Sequence, residues 1–246
     1  MAQCKDQAGA QPRPPLDDDP VVRGILKAIS LRRIRPGTKL GEDQLVEAFG
    51  SNRIHIRQVL AHLGSRNVIT LYPNRGAYVA RPSAEEARQV FATRRILERA
   101  AIEVLVADLT DRAAEALRRH VDREQTHFHT DRWGTLTLTG EFHTAVARLT
   151  GNAVLTRFLD ELVLRSSLII ATFEPQGAVD CSHDAHPQIA DRILARDRAG
   201  ALAAMDAHLD AMERRLRFEP PAEGKEDIAT IFAELGVGRR AAPRTR

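Results

Sequence analysis

Apolar residues recur with a helical period along most of this chain, and the first such segment begins near residue 20. The apolar positions of residues 20–31 fall on one face of a predicted helix: Val22, Ile25, Leu26 and Ile29. Asp18 or Asp19 is suited to cap this helix, and Pro20 fits its first position.

Two further helices are predicted before residue 65. Pro36-Gly37 marks a turn, after which residues 42–49 form a short helix. Ser51 or Asn52 then caps a third helix running over residues 53–63. Its buried positions have the spacing i, i+3, i+4, i+7: Ile56, Val59, Leu60 and Leu63.

The period changes after the third helix. The segments "VITLY" (68–72) and "AYVA" (77–80) are rich in β-formers and are separated by "PNRG", which predicts a hairpin. Three helices followed by a two-stranded wing, all within residues 19–82, predict a winged helix-turn-helix domain.

From Ser83 onward the pattern is almost entirely helical, and the fold class is therefore mainly α. We predict an all-α bundle over residues 83–218, with helices near 84–107, 110–128, 132–150, 152–173, 180–196 and 199–217. Residues 1–18 are polar with three prolines and are expected to form a disordered arm. Residues 219–246 are expected to form a flexible basic tail.

Composition narrows the class of protein. Within 246 residues there is no apolar run of the roughly 18 residues that a membrane span requires. Cys4 and Cys181 are the only cysteines, so a disulfide framework is not expected. We therefore expect a cytoplasmic location. Net charge is only +3, but residues 23–81 are conspicuously basic.

Arg53 and Arg57 lie one turn apart, away from the apolar stripe of the third helix. A helix that enters the major groove buries its core stripe and presents donors to phosphates and guanine edges in its first turns. Arginine suits both tasks. Two isolated arginines are more often ordinary solvated charges, but the short capped helix before them and the wing behind them favour DNA binding.

Four further residues are candidates for contact with DNA. His55 and Gln58 lie on the outward arc of the same helix and could touch bases or phosphates. In the wing, Gly76 allows a tight turn and close backbone approach, while Arg75 could enter the minor groove.

The stretch "IRPGTKLGEDQLVEAFGSNRIHIRQVLAHLGSRNVITLYPNRGAYVARPS" resembles the DNA-binding domain of the GntR family of bacterial transcription regulators. The resemblance implies that Arg53 and Arg57 read operator DNA and that Gly76 is the wing-tip glycine. Ile54-His55 replace a frequent Thr-Pro, and Asn67 replaces a glycine at a helix end.

Three histidines of the bundle, His143, His186 and His208, lie on separate predicted helices. A histidine on an apolar face is most often a satisfied core residue. Three that converge in a bundle could instead ligate a divalent metal.

The segments "VFATRRILERAAIEVLVADLT", "GEFHTAVARLTGNAVLTRFLDELVLRSSLII" and "HDAHPQIADRILARDRAGALAAMDAHL" resemble the FCD domain of the FadR subfamily. That domain binds small organic acids, frequently through a metal held by one Asp and three His. The resemblance implies a zinc, nickel or manganese site at His143, His186 and His208. Thr139 occupies the Asp position, so the site is either a weaker three-His site completed by water and the effector, or no metal site.

A carboxylate effector also requires a cation. Arg94 matches the arginine of the family's R-x-x-x-E pattern, and Arg165 stands among apolar residues in "LVLRSSLII". Arg165 could equally form an internal ion pair. Thr139, beside the histidines, is the third candidate for effector contact.

The sequence thus predicts a homodimeric one-component regulator, a repressor of palindromic operators, controlled by a small carboxylate in the bundle. Two alternatives remain. One is a metal-free sensor of another ligand such as an acyl-CoA. The other is a three-His metalloenzyme, for which no motif supplies a general base.

Overall fold

The computed structural model describes residues 16–128, 131–175, 182–218 and 227–237. After a 3₁₀ turn over Leu16–Asp18, the N-terminal domain contains three helices and three strands. They are α1 (Pro20–Ser30), β1 (Lys39–Leu40), α2 (Glu42–Phe49), α3 (Arg53–Ser65), β2 (Ile69–Tyr72) and β3 (Gly76–Val79).

The ends of these helices are set by local side chains and backbone. The Asp19 carboxylate accepts from Val21 N at the start of α1, and the Asn52 side chain accepts from His55 N at the start of α3. Asn67 follows α3 with a φ of 58°, the left-handed conformation for which asparagine suits this position.

The wing is a three-stranded antiparallel sheet in the order β1-β3-β2, rather than the predicted two-stranded hairpin. Lys39 and Leu40 of β1 pair with Tyr78 and Ala77 of β3. A strand of two residues is too short to show an alternating pattern, so β1 could not be predicted from local periodicity.

The second domain is the predicted six-helix bundle. Its helices are α4 (Ala84–Ala107), α5 (Asp111–His127), α6 (Arg132–Leu149), α7 (Ala153–Phe173), α8 (Ser182–Leu194) and α9 (Arg198–Arg214). Their apolar faces form one core, in which Phe91, Ile102 and Phe142 are fully buried.

The predicted C-terminal tail is wrong for residues 227–237. Residues Ile228–Glu234 form a tenth helix, α10, that packs on α1 and α2 of the winged domain. Phe232 is fully buried, with its ring centroid 4.7 Å from that of Phe49. The apolar residues of this short segment are buried by partners about 180 residues earlier, which a local pattern cannot reveal. Residues 219–226 and 238–246 lie outside the described residues, as do residues 1–15 of the predicted N-terminal arm.

The two domains are in direct contact. Leu168 of α7 belongs to the winged domain's apolar core, and Arg66, just after α3, forms an ion pair with Asp160 of α7 at 2.5 Å. In the described part of the chain, no helix combines the length and apolar character needed to cross a membrane.

Candidate nucleic-acid interface and bundle cavity

Helix α3 is divided into a buried face and an exposed face. Ile56, Val59 and Leu63 pack into the winged domain's core, while the side chains of Arg53 and Arg57 are 61% and 65% exposed. The structure therefore places both arginines where the sequence predicted them, on the outer face of the first two turns of α3.

Two acidic residues of α2 hold these arginines. Arg53 Nη2 lies 2.8 Å from Asp43 Oδ1, and Arg57 Nε lies 2.9 Å from Glu42 Oε2. Exposed ion pairs of this kind contribute little stability, so phosphate oxygens or base edges can replace the carboxylates.

The His55 side chain contacts the N-terminus of α1. Its Nε2 lies 3.1 Å from Asp19 Oδ2 at the N-terminus of α1, and its side chain is only 30% exposed. His55 is thus half-buried beside the start of α1, and its contact with DNA stays a prediction. Gln58 is exposed.

The wing tip presents a cation over one of two tyrosines that pack edge to face. The Arg75 guanidinium lies 5.5 Å from the Tyr72 ring centroid, and Tyr72 and Tyr78 meet edge to face at 5.4 Å. Gly76 has a φ of 95°, a conformation that a side chain would strain. Arg75 and Gly76 thus occupy the tip, as predicted.

The three bundle histidines converge. His143 of α6, His186 of α8 and His208 of α9 are all buried, and one nitrogen from each lies within 4.8 Å of the others. His186 Nε2 and His208 Nε2 are only 3.1 Å apart.

A carboxylate from a neighbouring helix holds the far nitrogen of two of these histidines. His143 Nδ1 donates to Glu98 Oε2 of α4 at 2.5 Å, and His186 Nδ1 donates to Glu124 of α5 at 2.8 Å. A neutral imidazole that donates from Nδ1 has its lone pair on Nε2, so both Nε2 atoms are potential ligands. His143 Nε2 has no hydrogen-bond partner among the described residues.

The charges fit this assignment. Burial lowers the pKa of His143 to about 4 despite the opposing charge of Glu98, so the ring is neutral near pH 7. Burial would raise the pKa of Glu98, but the adjacent Arg94 and His143 outweigh it and lower that pKa to about 2. Burial, with the other two histidines, also lowers the pKa of His208.

The cluster is compatible with a divalent metal. Two imidazole nitrogens bound tetrahedrally to one zinc ion stand about 3.3 Å apart, close to the 3.1 Å observed between His186 and His208. Thr139, where the resemblance leads one to expect an Asp, donates its hydroxyl to Glu124 Oε1 at 3.1 Å. The nearby carboxylate thus belongs to α5 and supports His186 from behind.

A hydrogen bond from α5 compensates for the proline that follows His186 in α8. Pro187 has no N–H, so within the helix it leaves the carbonyl of His183 without its usual donor. Gln125 Nε2 of α5 donates to that carbonyl at 2.7 Å, which ties α8 to the helix carrying Glu124.

A cavity of about 100 Å³ reaches the histidine cluster at His143. Arg94 and Thr139, two of the candidates for effector contact, line it together with His143. Arg94 is 1% exposed and donates to Glu98 and to Ser166, each at 2.8 Å. Its Nη2 is buried and has no hydrogen-bond partner in the part of the chain that the structure describes.

Arg165 does not join this site. Its Nη2 donates to Glu86 Oε1 of α4 at 2.8 Å, and it is not among the described residues that line the cavity. The next residue, Ser166, points inward to Arg94 instead. Arg165 thus forms an ion pair with Glu86 outside this cavity, and its contact with an effector stays a prediction.

Sequence reasoning missed Glu124, Arg32 and the role of Glu98. A signal existed for the two glutamates, since each continues a buried stripe: Leu117, His120 and Glu124 in α5, and Phe91, Arg94 and Glu98 in α4. Arg32, which also lines the cavity, comes from the end of α1, and no local pattern connects it with the bundle.

A winged helix-turn-helix joined to a helical bundle, with a cavity that residues of both line, is typical of a transcription regulator with a separate effector domain. Residues 19–79 match the profile described as "Bacterial regulatory proteins, gntR family", and residues 89–211 match the FCD domain. The chain belongs to the GntR family and carries a C-terminal FCD domain, which confirms the resemblance seen in the sequence.

Relatives agree with this assignment. The chain is 26% identical to the HTH-type transcriptional regulator LutR of Bacillus subtilis (strain 168), over 73% of this chain and 92% of LutR. A putative GntR regulator from Rhodococcus sp. RHA1 shares the fold at a TM-score of 0.64 and 22% identity, over 78% of this chain and 94% of that one. E. coli McbR/YncC does so at a TM-score of 0.62 and 18% identity, over 77% and 92%.

Proposed function

We propose that this regulator is a homodimeric repressor whose operator affinity is controlled by a small organic acid bound in the bundle. In this proposal Arg53, Arg57 and Gln58 contact the major groove, and Arg75 and Gly76 bring the wing against the adjacent minor groove or backbone. A two-fold dimer places two such surfaces on half-sites about one helical turn apart.

The observation that carries the proposal is the shared cavity. Arg94 and His143 line it from the bundle, and Ser30 and Arg32 line it from the winged domain. A ligand in this cavity touches both domains and can therefore favour one relative position over another.

His143, His186 and His208 would hold a divalent metal, which would supply a Lewis-acidic anchor for the acid. Two Nε2 atoms already converge within 3.1 Å, and Glu98 and Glu124 fix the tautomers that ligation requires. The unpartnered Nη2 of Arg94 provides a donor for the carboxylate next to this anchor.

The cavity's size favours this ligand over the alternatives. A cavity of about 100 Å³ lined by Arg94 suits a small anion better than a long acyl chain. The alternative of a metalloenzyme requires a general base. Glu98 and Glu124, the carboxylates beside the histidines, both accept hydrogen bonds from Nδ1 atoms, which favours a role in orienting the rings over that of a general base.

Metal content of the purified, tag-free protein tests the bundle half of the proposal. We expect about one metal per chain after incubation with zinc, nickel or manganese, and its loss in His143→Ala and in His208→Ala. His120→Ala is the matched control, because His120 is a buried bundle histidine bound to the Leu138 carbonyl, outside the cluster. No metal in the wild-type protein would reduce the cluster to core or direct effector contacts.

A further inference from the structure

The bundle cavity has a second cationic region away from the histidines. Three arginines and one glutamate carry the charged groups of its described lining: Arg32, Arg94, Arg132 and Glu174. Arg94 is already paired with Glu98, whereas Arg32 and Arg132 share the remaining part of the lining with Glu174.

Arg32 is held there by weak contacts. Its Nη2 lies 3.2 Å from Glu174 Oε2 and 3.3 Å from the Ile170 carbonyl, both at the long end of the hydrogen-bond range. Glu174 also accepts from Arg215 Nε at 2.7 Å, so its charge is divided between two guanidinium groups. Burial and the nearby charge of Arg132 lower the pKa of Arg32, although Glu174 opposes them.

The backbone at Arg32 has an unusual conformation for this residue type. Its φ is 57°, in the left-handed region normally taken by glycine or asparagine just after a helix. The arginine side chain at this strained backbone position reaches across to α7 and the cavity.

We propose that the effector carries two acidic groups, the first held by Arg94 beside the histidine cluster and the second by Arg32 and Arg132. This inference rests on the proposed function and adds the ligand's class. An acid with one carboxylate can pair only with Arg94, beside the histidine cluster. A second carboxylate, separated by a few carbon atoms, adds a charged acceptor for Arg132 and for Arg32, which shares Glu174 with Arg215.

Arg32 gives this second contact a consequence for DNA binding. It follows directly on α1, whose N-terminal Asp19 contacts His55 of the recognition helix α3. Effector that draws Arg32 from Glu174 alters the contact between α1 and α7. The ligand's affinity and the winged domain's position are then linked, and each must affect the other.

Calorimetric titration with matched acids tests the inference. The probes are butanoate against succinate and pentanoate against glutarate, added to full-length protein saturated with zinc. Each diacid should bind at least about tenfold tighter than the monoacid of equal carbon number, since a charge-assisted contact is worth a factor of this size.

Three variants locate the effect. Arg32→Asn keeps a residue that tolerates the left-handed backbone, and Arg132→Gln removes the other cation without touching the α1–α7 contact. Each should reduce the preference for diacids to about threefold or less while monoacid affinity stays within about twofold. Arg23→Gln, which removes a charge from the exposed side of α1, should leave the preference intact.

The outcomes separate this inference from the proposed function. Equal binding of monoacids and diacids by the wild-type protein, or an undiminished preference in both Arg32→Asn and Arg132→Gln, would overturn the two-site inference alone. Failure of the wild-type protein to bind any of the four acids would count against the small-acid proposal itself, and the inference would fall with it.

Discussion

Nδ1 of each of two buried histidines faces a glutamate from a neighbouring helix, and this choice of partner directs both Nε2 atoms to the centre of the cluster. Glu98 accepts from Nδ1 of His143, and Glu124 accepts from Nδ1 of His186. Thr139 stands where the FCD resemblance implies an Asp ligand, and a hydroxyl is a poor metal ligand. In the structure that hydroxyl is the third member of a chain with Glu124 and His186.

Removing the charge of Glu124 should therefore weaken metal binding without removing a ligand. Glu124→Gln leaves an acceptor for His186 Nδ1 but a weaker one, and we expect zinc affinity to fall about 10- to 100-fold, as is usual for such supporting carboxylates. Competition with a chromophoric chelator measures it. Glu115→Gln, on the exposed side of the same helix, is the control. Equal affinity in wild type and Glu124→Gln would show that the carboxylate does not orient the ring.

Most elements could be read from the chain because their apolar positions repeat locally. Helix α3, with its Asn52 cap and four buried apolar residues, is of this kind, and so is the long α4. What failed depends on distant partners: β1 exists because it pairs with β3, and α10 because the winged domain buries Phe232. The same distinction between local patterns and distant partners applies to the residues of the candidate site. The histidines were candidates because they lie on separate helices and match the FCD resemblance, whereas Arg32 reaches the cavity only through tertiary packing.

Helix α10 should behave as a structural part of the winged domain. Phe232→Ala removes a fully buried ring packed on Phe49, and we expect a loss of about 3–5 kcal/mol in the free energy of unfolding. Denaturant unfolding of the full chain measures it. Glu234→Ala, which removes only an exposed ion pair with Arg33 from the same helix, should cost about 1 kcal/mol or less. Similar stability of the two variants would mean that α10 adds little to the domain.

At the scale of the whole molecule, α1 joins the bundle cavity to α3, the helix proposed to contact DNA. Its C-terminal end supplies Ser30 and Arg32 to the cavity, and its N-terminal cap contacts α3 through His55. Arg66, just after α3, adds a second connection to α7 through Asp160. A change in the cavity thus has a short physical route to the surface that holds Arg53 and Arg57.

The most direct test of this account is the dissociation constant for a DNA site selected by the protein from a random duplex pool, measured by fluorescence anisotropy at fixed salt. We expect the tightest-binding acid of the titration series to change the wild-type constant about fivefold or more. Arg57→Ala should weaken binding of the selected site about tenfold or more even without ligand. A wild-type constant that is the same with and without the acid, while the acid is bound, would contradict the coupling of cavity and recognition helix.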